Sequence, residues 1–261
     1  WAEAKHPEPS VHPSSEPNQF LSCLIEEFGD EWGNKWMLHY RWAREADQVA
    51  ASTRLVAEMM PDTPEEQRKE TAAGIADRMK GRVWFVGSNE VTAAQIEDSW
   101  VEAVGLLEAH LSGRDYLFGA RPSFGDFGLW GQVYNCLVDP TPGGILREKG
   151  PSIVAWVERM LDPKASGDFE AWEALAPTLA PFVQRMCGDL FLPWSEANAK
   201  ALVGGDETYD VELDGRTWTQ KPVKYQAKSL AAIRARYAAV VDKSSLDAVL
   251  DELGCRSWLA N

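Results

Sequence analysis

The feature that most constrains this chain is an apolar stripe running from residue 18 to residue 50. Leu21, Leu24, Phe28, Trp32, Trp36, His39, Ala43, Ala46 and Ala50 recur at steps of three and four, the spacing that lines one face of an α-helix. Pro17 precedes the run and Pro61 stops it. One helix of about forty residues is expected, capped by Asn18 and open to a kink at Gly29 or Gly33. A helix that long needs packing partners along its length, because isolated helices are marginal in water.

The following segments supply those partners. Thr63-Pro64-Glu65-Glu66 reads as a capping box with proline in the first turn, opening a helix towards Lys80 that ends at Gly81. Residues 83–86 form a short apolar connection or a helix tip. Thr92 to Gln95 reads as a second box, ahead of a stripe of Ile96, Trp100, Val104, Leu107 and Leu111 that ends at Gly113. Ser123-Phe124-Gly125-Asp126 is the third, with Asp126 in the reaching position. Residues 140–144 read as a turn and 152–161 as a compact amphipathic helix. A further helix is expected between 179 and 202, bent or divided at Pro193.

The one clear strand signal comes late. Residues 208–213 alternate apolar and acidic side chains, Asp214-Gly215 supplies a turn, and 216–220 continue the pattern, the signature of a β-hairpin. A lone hairpin is marginal, so it must lie on the helices, with Asp210 and Glu212 towards solvent. Residues 227–241 and 244–253 read as closing helices, the second opened by Ser244 with Asp247 three positions on. The expected fold is all-α: a helical bundle with a small C-terminal β-hairpin and closing helices. Residues 1–17, with four prolines and two histidines, read as a linker, 18–205 as the helical domain and 206–261 as an extension.

Composition narrows the function. Against 26 Lys+Arg stand 40 Asp+Glu, a net charge of −14 over 261 residues, which argues against nucleic acid as a partner. Cys23, Cys136, Cys187 and Cys255 stand far apart with no CxxC pair, so neither a zinc site nor a disulfide framework is expected. They read as reduced thiols used in packing. His6 and His12 lack companion ligands at useful spacing, and no metal site is expected. His110, near a helix C-terminus, reads as a complement to the helix dipole. No apolar run is long enough for a membrane span and nothing resembles a secretory signal. The reading is of a soluble, cytoplasmic protein with no membrane partner, its first residue Trp1 lying inside a longer protein or after a processing point.

Residues 116–132, Tyr116-Leu117-Phe118-Gly119 through Ser123 and Asp126 to Gln132, resemble the C-terminal domain of the glutathione S-transferase superfamily. Leu117, Gly119, Pro122, Ser123 and Asp126 match that family's pattern, and Gly125 stands where Ala is usual. Pro142, Pro151, Ile153, Val154, Trp156 and Val157 fit its next helix, and the resemblance covers residues 1–165. The resemblance implies a helical wall for a hydrophobic small molecule, homodimerisation, and glutathione as a co-substrate held mainly by a thioredoxin-like domain outside this chain. No Val-Pro dipeptide and no βαβ pattern is present to hold it here. Ser123 and Asp126 are then structural caps, and the catalytic residue is unknown. Trp36 and Tyr40, four apart on one helix face, with His39 and Arg41 on either side of Tyr40, are the expected substrate-binding residues. Two functions follow from the resemblance: transfer of glutathione to a hydrophobic electrophile, or a non-catalytic assembly module.

Overall fold

The computed structural model describes residues 5–260. The expected long helix is three helices. Helix α1 (Glu16–Phe28) passes through a single π-helical turn, Gly29–Gly33, into α2 (Asn34–Ala43). Arg44 is extended, at φ −124° and ψ 142°, and α3 (Glu45–Met59) starts after it. The apolar stripe stays buried from Leu21 to His39, and then Ala43 and Ala46 face solvent. The break at Arg44 resets the helical phase, so α3 buries Asp47, Ala51, Ser52 and Val56 instead. The cap of α1 is Ser15, whose hydroxyl accepts the Asn18 N–H at 3.3 Å. Asn18 turns its side chain to the Glu170 carbonyl, 3.0 Å away.

Helix α4 (Glu65–Lys80) packs back on α3 and buries only Ala72. The box expected at Thr63 does not form, since Pro64 occupies the cap position and no side chain bonds there. After α4 comes a 3₁₀ turn, Val83–Val86, then α5 (Ala93–Leu111). The Thr92 box does not form either. The Thr92 hydroxyl bonds the Gly87 carbonyl, and the Gln95 amide donates to the Thr217 carbonyl at 2.8 Å. A loop carbonyl five residues back takes the Thr92 hydroxyl, and a tertiary partner on the hairpin takes Gln95.

The third box does form, at the head of α6 (Phe124–Val138): Ser123 Oγ accepts the Asp126 N–H, and Asp126 Oδ2 accepts the Ser123 N–H at 2.8 Å. Helix α6 lies against α1 and the π turn. Their backbones approach so closely that a Cβ on Gly29 would come within 2.9 Å of Gly128 and Leu129. Residues 140–144 are not a turn but the start of α7 (Pro140–Lys149). Asp47 reaches over from α3 to cap it, accepting the Thr141 N–H at 2.7 Å. Helix α8 (Pro151–Arg159) follows.

The next helical rod is longer than expected. Helix α9 (Trp172–Phe182) continues through a π-helical stretch, Val183–Phe191, into α10 (Leu192–Gly204). Pro193 sits in the first turn of α10, where its missing N–H is tolerated, and does not divide the rod. Strands β1 (Tyr209–Leu213) and β2 (Arg216–Gln220) pair antiparallel, Tyr209 opposite Gln220 and Leu213 opposite Arg216. Asp214 and Gly215 both take positive φ, 56° and 67°, as a tight hairpin turn requires. Tyr209, Leu213, Trp218 and Gln220 face inward, and Asp210 and Glu212 outward. Helices α11 (Lys224–Ala239), α12 (Lys243–Glu252) and α13 (Arg256–Leu259) close the chain. The cap of α12 is Asp242, not Ser244. Asp247 instead accepts the Tyr237 hydroxyl at 2.7 Å and pairs with Arg256. One hydrophobic core runs from Phe20 to Leu259 and includes Leu213, Trp218, Ile233 and Leu250, so the hairpin and closing helices share it with the helices before them.

Candidate ligand-binding site

The caps come first because they hold everything else. Asp126 has no solvent contact. Its Oδ1 accepts the Leu117 N–H and the Trp156 indole N–H, both at 2.9 Å, and its Oδ2 accepts the Ser123 N–H and hydroxyl at 2.8 and 2.6 Å. Burial pushes this carboxyl up, against the pull of those four donors. One side chain thus joins the loop before α6, the head of α6 and helix α8.

The structure brings the expected substrate-binding residues together, but inside the core. The Trp36 indole donates to the Ser99 hydroxyl at 2.8 Å, and Tyr40 lies buried under the Arg44 guanidinium, 5.2 Å from its ring. His39 is buried between Ser88 and Glu97: Nδ1 is 2.8 Å from the Ser88 hydroxyl and Nε2 is 2.9 Å from Glu97 Oε1. Arg44 donates to both Glu97 oxygens at 2.7 Å. The carboxylate partner places the proton on Nε2, leaving Nδ1 to accept from Ser88. Burial lowers the His39 pKa, against the pull of Glu97, so the ring is neutral at pH 7 and not the cation that an electrophile would meet. Arg41 is also committed, donating to Asp139 at 2.7 Å, while Arg54 holds the other Asp139 oxygen at 2.7 Å.

His110 departs from its expected role for the same reason. Its Nε2 donates to the Leu117 carbonyl at 2.9 Å and its Nδ1 accepts the Thr178 hydroxyl at 2.8 Å. Burial lowers its pKa to about 4, so no positive charge meets the helix dipole.

An open cleft of about 230 Å³ lies elsewhere, between α1 and α11 and beside residue 12. Phe20 and Val240 give it apolar walls, while Glu16, Cys23 and Arg236 give it polar ones. The Arg236 guanidinium points to Cys23 Sγ at 3.7 Å. Glu16 accepts the backbone N–H groups of Val241 and Asp242 at 3.2 and 2.5 Å, fixing the end of α11 over the cleft. Carboxylates crowd the next turn of α1. Burial, then repulsion from Glu27 and Asp30, raises the Glu26 pKa to about 7, with Arg236 pulling the other way. Chemically, the cleft can hold an apolar body with a polarisable or anionic end near Arg236. The other three thiols, Cys136, Cys187 and Cys255, are pushed up by burial, the last to about 12.

No sequence signal marked this cleft. Cys23 and Arg236 are 213 positions apart, on helices that each look like ordinary packing elements. Only the closure of α11 onto α1 creates it.

A second buried ionisable side chain sits at the seam with the hairpin. Lys35 Nζ lies 3.5 Å from the centre of the Trp194 ring, with Trp32 and Trp218 at 5.5 and 5.6 Å, and donates to the Val86 carbonyl at 3.2 Å. Gln220 Oε1 accepts both the Trp194 and Trp218 indoles at 3.0 Å, tying β2 to α10. Burial drives the Lys35 pKa well down, against Glu31 one helical turn away, and raises the Glu31 pKa to about 7. Among the described residues, no group of three or more His, Cys, Asp or Glu is placed to hold a metal ion, and no helix is long and apolar enough to cross a membrane.

The architecture defines an all-α domain organised round one buried, box-capped helix. Residues 89–159, from the approach to α5 to the end of α8, match the family model of the glutathione S-transferase C-terminal domain. The match includes Ser123, Asp126 and Trp156, so the buried network lies within the segment that is similar to that domain. No curated protein and no solved structure matches it.

Proposed function

We propose that the intact protein joins glutathione to a hydrophobic electrophile, or uses it to reduce or cleave one, and that this chain supplies the electrophile's wall. The carrying observation is the cleft between α1 and α11, in which apolar Phe20 and Val240 face the Arg236 guanidinium. In the conjugation step the glutathione sulfur forms a bond to the electrophilic carbon and negative charge moves onto the electrophile, where a guanidinium stabilises it. The sheet of the described residues is a two-stranded antiparallel hairpin, so glutathione is proposed to bind mainly on a thioredoxin-like part beyond residues 1–261. Trp36, His39 and Tyr40 act in this reading as the rigid backing of α1 and α2, since direct contact would need the core to open. A homodimer working in the cytoplasm completes the proposal.

Steady-state kinetics of the intact protein with a bulky aromatic electrophile test it. Phe20→Ala and Arg236→Gln should each lower kcat/KM for the electrophile about tenfold, roughly 1.4 kcal/mol of transition-state stabilisation, with KM for glutathione unchanged. Unchanged kinetics in both variants would remove the cleft from the reaction. The alternative, a non-catalytic assembly module, draws support from the same absence of a parallel sheet among the described residues. Glutathione-agarose separates the two: retention of the intact protein but not of residues 1–261 supports the enzyme, and retention of neither supports the module. Retention of both contradicts placing the glutathione site outside this chain.

A further inference from the structure

The 3₁₀ turn Val83–Val86 splits its side chains between two environments. Val86 turns inward, its carbonyl accepting from Lys35, whereas Trp84 and Phe85 point out and remain 44 % and 50 % exposed. Their rings stack with centroids 4.1 Å apart and an interplanar angle of 23°, so they stand out as one aromatic slab.

The residues flanking this slab in sequence, together with Lys221 beside it in space, carry a charge opposite to that of the whole molecule. Arg78 and Lys80 end α4, Arg82 leads into the turn, and Lys221 Nζ lies 5.4 Å from the centre of the Trp84 ring. All four cations are exposed. Of the carboxylates nearby in sequence, Asp77 pairs with Lys80 at 2.6 Å and Glu90 stands four residues past Val86. A basic collar on a chain of net charge −14 is a local exception.

We infer that this tip docks the protein onto an anionic lipid surface, with Trp84 and Phe85 at the headgroup level and Arg78, Arg82 and Lys221 against phosphates and carboxylates. Indole rings favour that boundary because one end is apolar and the other wet. Basic side chains beside them are drawn to an anionic leaflet. The chain's overall negative charge does not prevent this, because screening confines the interaction to charges within about 8 Å of the surface at physiological salt. A protein partner fits less well. Two aromatic side chains bury roughly 300–500 Å² at most, against about 800 Å² per partner in a standard interface. That no helix of the described residues is long and apolar enough to cross a bilayer does not bear on resting against one.

Vesicle flotation of the full chain tests the inference, using phosphatidylcholine vesicles with and without phosphatidylserine at low and high salt. The chain should float with the anionic vesicles at low salt and lose binding at high salt. Trp84→Ser/Phe85→Ser should cut the bound fraction about tenfold, and Arg78→Gln/Arg82→Gln should weaken binding and flatten its salt dependence. Val203→Ser, at an exposed apolar residue on α10, should change nothing. Failure of the unaltered chain to float with anionic vesicles would overturn the inference, and so would undiminished flotation of the aromatic double variant. A dimer in sedimentation that the aromatic double variant dissociates would assign the slab to a second copy and equally overturn it.

Discussion

Asp126 and Lys35 are both ionisable side chains sealed from solvent, and the chain accommodates them in opposite ways. Asp126 accepts four hydrogen bonds, three of them from residues within ten positions of itself. Lys35 donates one hydrogen bond, to Val86 at 3.2 Å, and otherwise faces indole rings, while Glu31 keeps one buried oxygen without a hydrogen bond. A buried charge is tolerated when its lone pairs and protons are satisfied and is expensive when they are not. Asp126 therefore organises its surroundings, whereas Lys35 and Glu31 are held in place by the packing of α10 and β2 around them.

The largest effect should come from breaking the satisfied site. Asp126→Ala strands two backbone N–H groups, a hydroxyl and an indole, and should cost about 3–5 kcal/mol in denaturant unfolding. A loss below about 1 kcal/mol would mean that the network is decorative. Next comes the under-satisfied pair, with the opposite sign. Lys35→Met together with Glu31→Leu should stabilise the protein by about 1–4 kcal/mol, the low end reflecting the hydrogen bond lost at Val86.

The same two residues also shape the pH profile. The native state keeps the Glu31 proton between 4.5 and about 7, where the unfolded chain releases it, so stability falls as pH rises through that window. Lys35 acts the other way. Its amine is held low in the native state, so the unfolded chain binds the extra proton, and stability rises as pH climbs towards about 10.4. Removing Glu31 alone, as Glu31→Gln, should make the fall below pH 7 shallower without abolishing it, because Glu26 also stands at about 7. Thermal midpoints across that range measure the change, and an unaltered slope would contradict it.

The smallest effects sharpen the contrast between boxes that form and boxes that do not. Ser123→Ala should lose about 0.5–2 kcal/mol, since its hydroxyl both caps α6 and donates to Asp126. Thr63→Ala, at a box of similar sequence that makes no side-chain cap, should change stability by less than about 0.5 kcal/mol.

Much of the fold was legible because local rules and packing agreed. The α6 box, the hairpin with its Asp214-Gly215 turn and the stripe from Leu21 to His39 all lie where period and capping chemistry put them. The failures have several causes. At Gln95 a side chain able to serve a local cap met the hairpin instead, while Thr92, Ser244 and Asp247 took other partners within ten residues of themselves. At Arg44 a continuous apolar period concealed a break in the backbone. The expected substrate-binding residues lie where the aromatic face of α2 meets α5, buried in the core, while a cleft opens where α11 closes over Cys23.

By itself, then, the order of residues determined the hairpin, the box-capped helix and the resemblance of the segment that carries it, since each depends on contacts between near neighbours. Which aromatic residues face a ligand and which face one another was decided only in three dimensions. Helix periodicity says that a face is apolar but not what covers it, and that depends on segments two hundred residues away.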